Sequence, residues 1–136
     1  MRQSCFIGVF IALSLILGSA HAAPLEVIPV PQVPTDPSVP HYAYNGHPTL
    51  FKAIVRGGGA SYTVDWDFDG DGTYDATATT TNRYDLSASF TLPPQSATRL
   101  FVARVRVTSA GETVIASYPV RVFADVPDDV CLLYTS

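Results

Sequence analysis

Carboxylates at every second position are the feature of this chain that could do chemistry. Asp67, Asp69 and Asp71 alternate with Phe68 and Gly70, Gly72 follows, and Asp65 and Asp75 flank the run. Alternate Asp side chains on a tight turn can converge on one hard cation, and calcium takes six to eight oxygens. With Asp67 as the first ligand of a calcium loop, Asp69 is third, Asp71 fifth, Gly72 sixth, Thr73 seventh through its backbone carbonyl, and Asp75 ninth. The twelfth position is Ala78, where a bidentate Glu should stand, and no helical pattern flanks the loop, so this is not an EF-hand. Asp67, Asp69, Asp71, Thr73 and Asp75 therefore form a candidate, partial calcium site, with water or another segment completing the shell. The same residues have a second reading. Asp can bond nearby backbone amides and Gly can take positive φ, which builds the turn with no ion at all.

Other chemistries find less support. A general acid–base pair needs one carboxyl desolvated and its pKa raised, and a solvent-facing turn offers no such burial. His41 and His47 stand near a Pro-rich stretch with no nucleophile or ligand cluster beside them, and are expected at the surface. Tyr42 and Tyr44 can form an aromatic patch for carbohydrate or protein, or pack onto the fold. Gly57, Gly58 and Gly59 lack a following Lys and precede a strand pattern, so they read as a turn, not a phosphate loop. No residue is assigned a catalytic or cofactor-binding role, and the expectation is a non-enzymatic domain.

Strands must position the acidic run. Tyr62, Val64, Trp66 and Phe68 alternate with Thr63, Asp65, Asp67 and Asp69, the period of a half-buried strand. Residues 49–56 place Phe51, Ala53 and Val55 on one face. Residues 73–78 can return as a short strand, and the Ala and Thr of 76–81 suggest an edge strand or a loop. Leu86, Ala88, Phe90 and Leu92 alternate until Pro93 and Pro94 stop the pattern. A hairpin follows: residues 98–108 and 113–124 alternate around a turn at 109–112, where Gly111 is available for positive φ. Pro119 marks an edge position or a bulge. Arg104, Arg106 and Arg121 fall on the outward face, as solvent-facing charges. Six or seven short strands with turn signals between them predict an all-β, antiparallel sandwich.

Around this domain the composition changes. Residues 1–22 read as a secretory signal peptide: Arg2 is the positive start, an uncharged apolar run follows, and Ala20 and Ala22 supply the small residues before a cleavage site. The apolar run is short for a membrane span. Arg2 is the leader's only charge, so its removal leaves seven basic residues against the twelve acidic ones, a net charge of −5. That balance argues against nucleic acid and anionic membrane surfaces as partners. Residues 23–40 hold six prolines and read as a semi-rigid, polyproline-like linker. The domain is expected over 41–125 and a linker remnant over 126–136. Residues 131–136, Cys-Leu-Leu-Tyr-Thr-Ser, back-translate to a sequence resembling a transposase end used in sequencing libraries, which reads as a read-through tail on a truncated protein; the alternative is a genuine short tail with one free thiol. Cys5 leaves with the leader, so Cys131 has no intrachain partner and a hydrophobic core, with or without metal, must hold the domain.

The string from Tyr62 to Gly72, Tyr-Thr-Val-Asp-Trp-Asp-Phe-Asp-Gly-Asp-Gly, resembles the signature of the polycystic kidney disease (PKD) repeat family, in its bacterial Asp-Gly-Asp-Gly form. The resemblance implies an Ig-like β-sandwich, secreted or on a cell surface with the periplasm as a further setting, that works as a spacer, in adhesion, or as an interaction domain for protein or polysaccharide. Such repeats also accompany exported hydrolases, so the chain can alternatively be the N-terminal accessory domain of a secreted enzyme whose catalytic part lies elsewhere. Arg83-Tyr84 matches part of the family's later pattern, but residues 85–98 lack its glycine and carry Pro93-Pro94 instead.

Overall fold

The longest continuous feature is a hairpin whose two arms alternate apolar and polar residues along their whole length. In the computed structural model, which describes residues 23–30 and 40–124, these arms are strands β7 (Arg99–Ser109) and β8 (Glu112–Phe123). Ala110 and Gly111 join them with φ of 50° and 84°. Positive φ at both turn residues matches the right-handed twist of the flanking strands.

Six further strands complete the described fold: β1 (Glu26–Pro29), β2 (His41–Tyr44), β3 (Thr49–Arg56), β4 (Tyr62–Asp67), β5 (Ala76–Thr80) and β6 (Leu86–Phe90). The architecture is all-β, with no helix among the described residues. Two sheets form, one in the order β1-β3-β6 and the other in the order β2-β8-β7-β4-β5; one sheet curls into a half-barrel. Every pairing is antiparallel except β2 with β8, which run parallel.

Period-two burial explains the core. Phe51, Ala53 and Val55 from β3, Tyr62, Val64 and Trp66 from β4, and Ala103, Val105 and Val107 from β7 all point inward and are buried. Aromatic rings bring the sheets together: Phe68 lies 4.7 Å from Phe51 and 4.5 Å from Phe90, and Trp66 stacks on Phe68 at 5.6 Å. Full burial of such side chains stabilises by roughly 1.5–3 kcal/mol each, which lets the core hold without a disulfide.

Several expectations are corrected. The linker expected over 23–40 gives way at its start, because β1 pairs with β3 from Glu26 opposite Arg56 to Pro29 opposite Ala53. Leu25 and Val27 enter the core, and Gly58 donates its N–H to the Ala23 carbonyl at 3.1 Å. The described strands number eight, not six or seven, and the β2–β8 pair is not antiparallel. β5 begins at Ala76, later than expected for the return strand, since the turn runs on until Asp75 N–H bonds the Trp66 carbonyl at 2.7 Å. It is an edge strand, as the Ala and Thr composition suggests. Pro119 sits where β8 has only β7 beside it, because pairing with β2 starts at Val120. The leader 1–22, residues 31–39 and the tail from 125 lie outside the described residues.

Candidate metal centre

The acidic turn begins at the end of β4 and is built largely by its own carboxylates. Asp67 is 1% exposed. Its Oδ1 accepts the Gly70 N–H at 2.7 Å and its Oδ2 the Gly72 N–H at 3.1 Å. Asp69 Oδ1 accepts the Asp71 N–H at 3.1 Å, and Asp71 Oδ1 accepts the Thr73 N–H at 2.7 Å. Gly70 and Gly72 take φ of 73° and 95°. A side chain at Gly70 would run into the Val102 carbonyl oxygen on β7, so this residue meets both requirements only glycine satisfies.

One carboxylate oxygen from each of Asp67, Asp69 and Asp71 lies within 4.8 Å of the others. Of the five residues named from sequence, these three are the ones whose carboxylates converge. Asp75 turns back instead, and its Oδ2 accepts the Phe68 N–H at 2.8 Å. Thr73 enters the turn through its N–H. The donor set is hard oxygen, which suits calcium, and Asp69 and Asp71 each keep a second oxygen outside these turn bonds. Partial burial pushes the Asp69 carboxyl up, opposed by the Asp71 N–H and reinforced by the charges of Asp71, Asp75 and Asp67. A cation would relieve that repulsion.

The outward face of the sheet differs from its expected role. Asp65 and Asp67 do not stand in solvent. Asp65 is 6% exposed; its Oδ1 accepts the Thr77 hydroxyl at 2.7 Å and its Oδ2 the Arg106 Nε–H at 2.9 Å. Arg106 also lies over the Tyr74 ring, 4.1 Å from the centroid. Arg104 reaches Asp67 Oδ2 at 3.7 Å. Both arginines are thus partners of buried carboxylates, and of the three arginines only Arg121 lacks a carboxylate partner among the described residues. Alternation shows that these residues share a face, but only the β4–β7 register sets Asp65 opposite Arg106 and Asp67 opposite Arg104.

His41 is likewise not a surface residue. It is 5% exposed, donates from Nε2 to the Leu50 carbonyl at 2.9 Å, and stacks on Phe51 at 5.7 Å. Its Nδ1 and the neighbouring Tyr118 hydroxyl are buried with no hydrogen-bond partner among the described residues. Burial lowers the His41 pKa, against the opposing effect of its bond to Leu50. It also pushes the Tyr118 hydroxyl up. His47 is exposed, as expected. Tyr42 and Tyr44 pack against Phe123, at 5.8 Å and 5.5 Å between centroids, yet stay part-exposed beside a cavity of about 380 Å³ that His47, Leu50 and Lys52 also line. Sequence reasoning missed Asn45. Its side chain donates to the carbonyls of Gln95 and Ala124 and accepts the Gln95 N–H at 2.9 Å, tying three segments together.

No protein-family model matches the chain, and no curated protein matches it.

Proposed function

We propose that this chain is a secreted, non-catalytic PKD-like module that spaces or presents neighbouring parts of an extracellular protein, stiffened by calcium at Asp67, Asp69 and Asp71. The observation that carries the reading is the convergence of those three carboxylates within 4.8 Å, on a turn that Gly70 locks against β7. The Tyr-to-Gly string resembling the PKD signature spans β4 and this turn. The sheet orders favour an Ig-like sandwich. In that fold strands A, B and E share one sheet and C, F and G the other, with a buried Trp on strand C. Here β1, β3 and β6 share a sheet, β4, β7 and β8 share the second, and Trp66 is buried on β4. The mildly acidic net charge of the chain and the part-exposed Tyr42 and Tyr44 suit an extracellular protein or polysaccharide as partner.

Thermal unfolding with calcium and with chelator tests the proposal. A ligand that binds only the folded state stabilises it by about 2.7 kcal/mol at a hundredfold excess over Kd. The midpoint should rise with calcium, and the rise should vanish in the Asp69→Asn/Asp71→Asn variant. An unchanged midpoint at millimolar calcium would remove the metal from the reading and leave the turn held by its own hydrogen bonds.

A further inference from the structure

Among the described residues seven large hydrophobic side chains are exposed, and five of them stand on one surface. Tyr42 on β2, Ile115 on β8, and Leu100 and Val102 on β7 share the outer face of the five-stranded sheet with Tyr44. Leu100, Val102 and Ile115 are 54%, 46% and 56% exposed. Apolar side chains gathered on one face of a sheet mark an interaction surface more than scattered ones do.

Charge on this face is divided by β7. On the β8 side Arg121 lies opposite Leu100 and has no carboxylate partner among the described residues. On the β4 side the ladder ends at Asp67 opposite Arg104, and the turn carrying Asp69 and Asp71 continues beside Val102, where Gly70 abuts the backbone. Over Leu100 and Val102 the centre line is apolar, with Arg121 on one flank and the Asp69–Asp71 turn on the other; further along β7, Arg104 and Arg106 are held by Asp67 and Asp65 of the same copy.

We infer that this face packs on its own copy, forming a two-fold dimer whose axis runs along β7. A two-fold axis in the plane of contact, parallel to β7, sets the β8 side of one copy over the β4 side of the other. Arg121 of each copy then meets the Asp69–Asp71 turn of its partner, twice in the dimer, while Leu100 and Val102 meet their equivalents at the centre. Aligned face-to-face packing of two sheets is an ordinary arrangement. The dimer does not depend on calcium. An ion in the turn would compete with Arg121 for Asp69 and Asp71.

Sedimentation equilibrium of the whole chain tests this, with chelator present and Cys5 and Cys131 kept reduced. The expected result is a monomer–dimer equilibrium across micromolar concentrations. Leu100→Asp and Arg121→Glu, both surface changes whose folding circular dichroism verifies, should each weaken it by about tenfold or more. Adding Asp71→Arg to Arg121→Glu should restore association. A monomer at every concentration overturns the inference, whether or not the face then binds a polysaccharide or an unrelated protein. A dimer sensitive to Leu100→Asp but not to Arg121→Glu overturns the axis along β7.

Discussion

Arg106 on β7 closes on Asp65 of β4 at 2.9 Å, Nε to Oδ2, and lies over the Tyr74 ring while doing so. The pair sits directly opposite in the β4–β7 register, on the face that alternation assigns to solvent. A carboxylate covered this way needs its donors, because a buried charge left without partners is costly. Arg106→Ala leaves Asp65 with the Thr77 hydroxyl as its remaining side-chain donor. The unfolding midpoint should fall by several degrees, and Asp65→Asn in the same chain should recover part of the loss. Arg104→Ala should cost less, since Asp67 also holds two backbone N–H groups. Thermal melts of the three variants check the order.

Gly70 and Gly72 both have positive φ but are not equivalent. Nothing lies within 4 Å of a side chain added at Gly72, whereas one at Gly70 meets the Val102 backbone. Gly72→Ala should cost about 1–2 kcal/mol from conformation alone. Gly70→Ala should cost clearly more, because the turn must also move off β7. Urea denaturation measures both.

His41 predicts a stability change in mild acid. Its folded-state pKa lies below the ordinary 6.5 because burial disfavours the imidazolium. The unfolded chain therefore takes up a proton first. Stability from this residue is intact above pH 6.5 and is lost as pH falls from there through the lower folded-state value. The unfolding midpoint should drop by about a few degrees between pH 7 and pH 5. His41→Gln should flatten that profile. A variant with the wild-type slope would assign the titration elsewhere.

Ala110 pays for a tight hairpin with an unfavourable backbone angle, φ of 50°. Two-residue turns of this kind prefer Asn followed by Gly, and Gly111 is already in place. Ala110→Asn should raise stability by up to about 1 kcal/mol, read as a shift in urea midpoint with an unchanged slope.

Local alternation made much of the fold legible. Residues 49–56 are β3 without a shift, and the β7–β8 hairpin ends within a residue or so of its expected bounds. β1 was hidden because Pro29 and its neighbouring prolines suggest a spacer. Pro29 is tolerated at the last position of an edge strand, where fewer ladder bonds are needed. β2 has only four residues and contains a buried His, so it carries no clear period. At the candidate site the Asp and Gly spacing showed the turn and its possible ligands. What spacing could not show is pairing between strands: that Asp75 serves Phe68, that Arg104 and Arg106 belong to Asp67 and Asp65, and that Asn45 holds Gln95 and Ala124 are all relations across the sheet or between loops.

The parallel pairing of β2 with β8 has a mechanical consequence. Ala23 is fastened near the tip of the long hairpin, through Gly58 and through Leu25 N–H to Glu112 Oε2 at 2.8 Å. Ala124 leaves from the other end of β8, whose twelve residues span roughly 36 Å at about 3.3 Å per residue. Tension between these two points runs along the strands. It must slide β8 past β2 and β7 with many hydrogen bonds loaded together, so the described fold is built to resist pulling by shear and not to unzip one bond at a time.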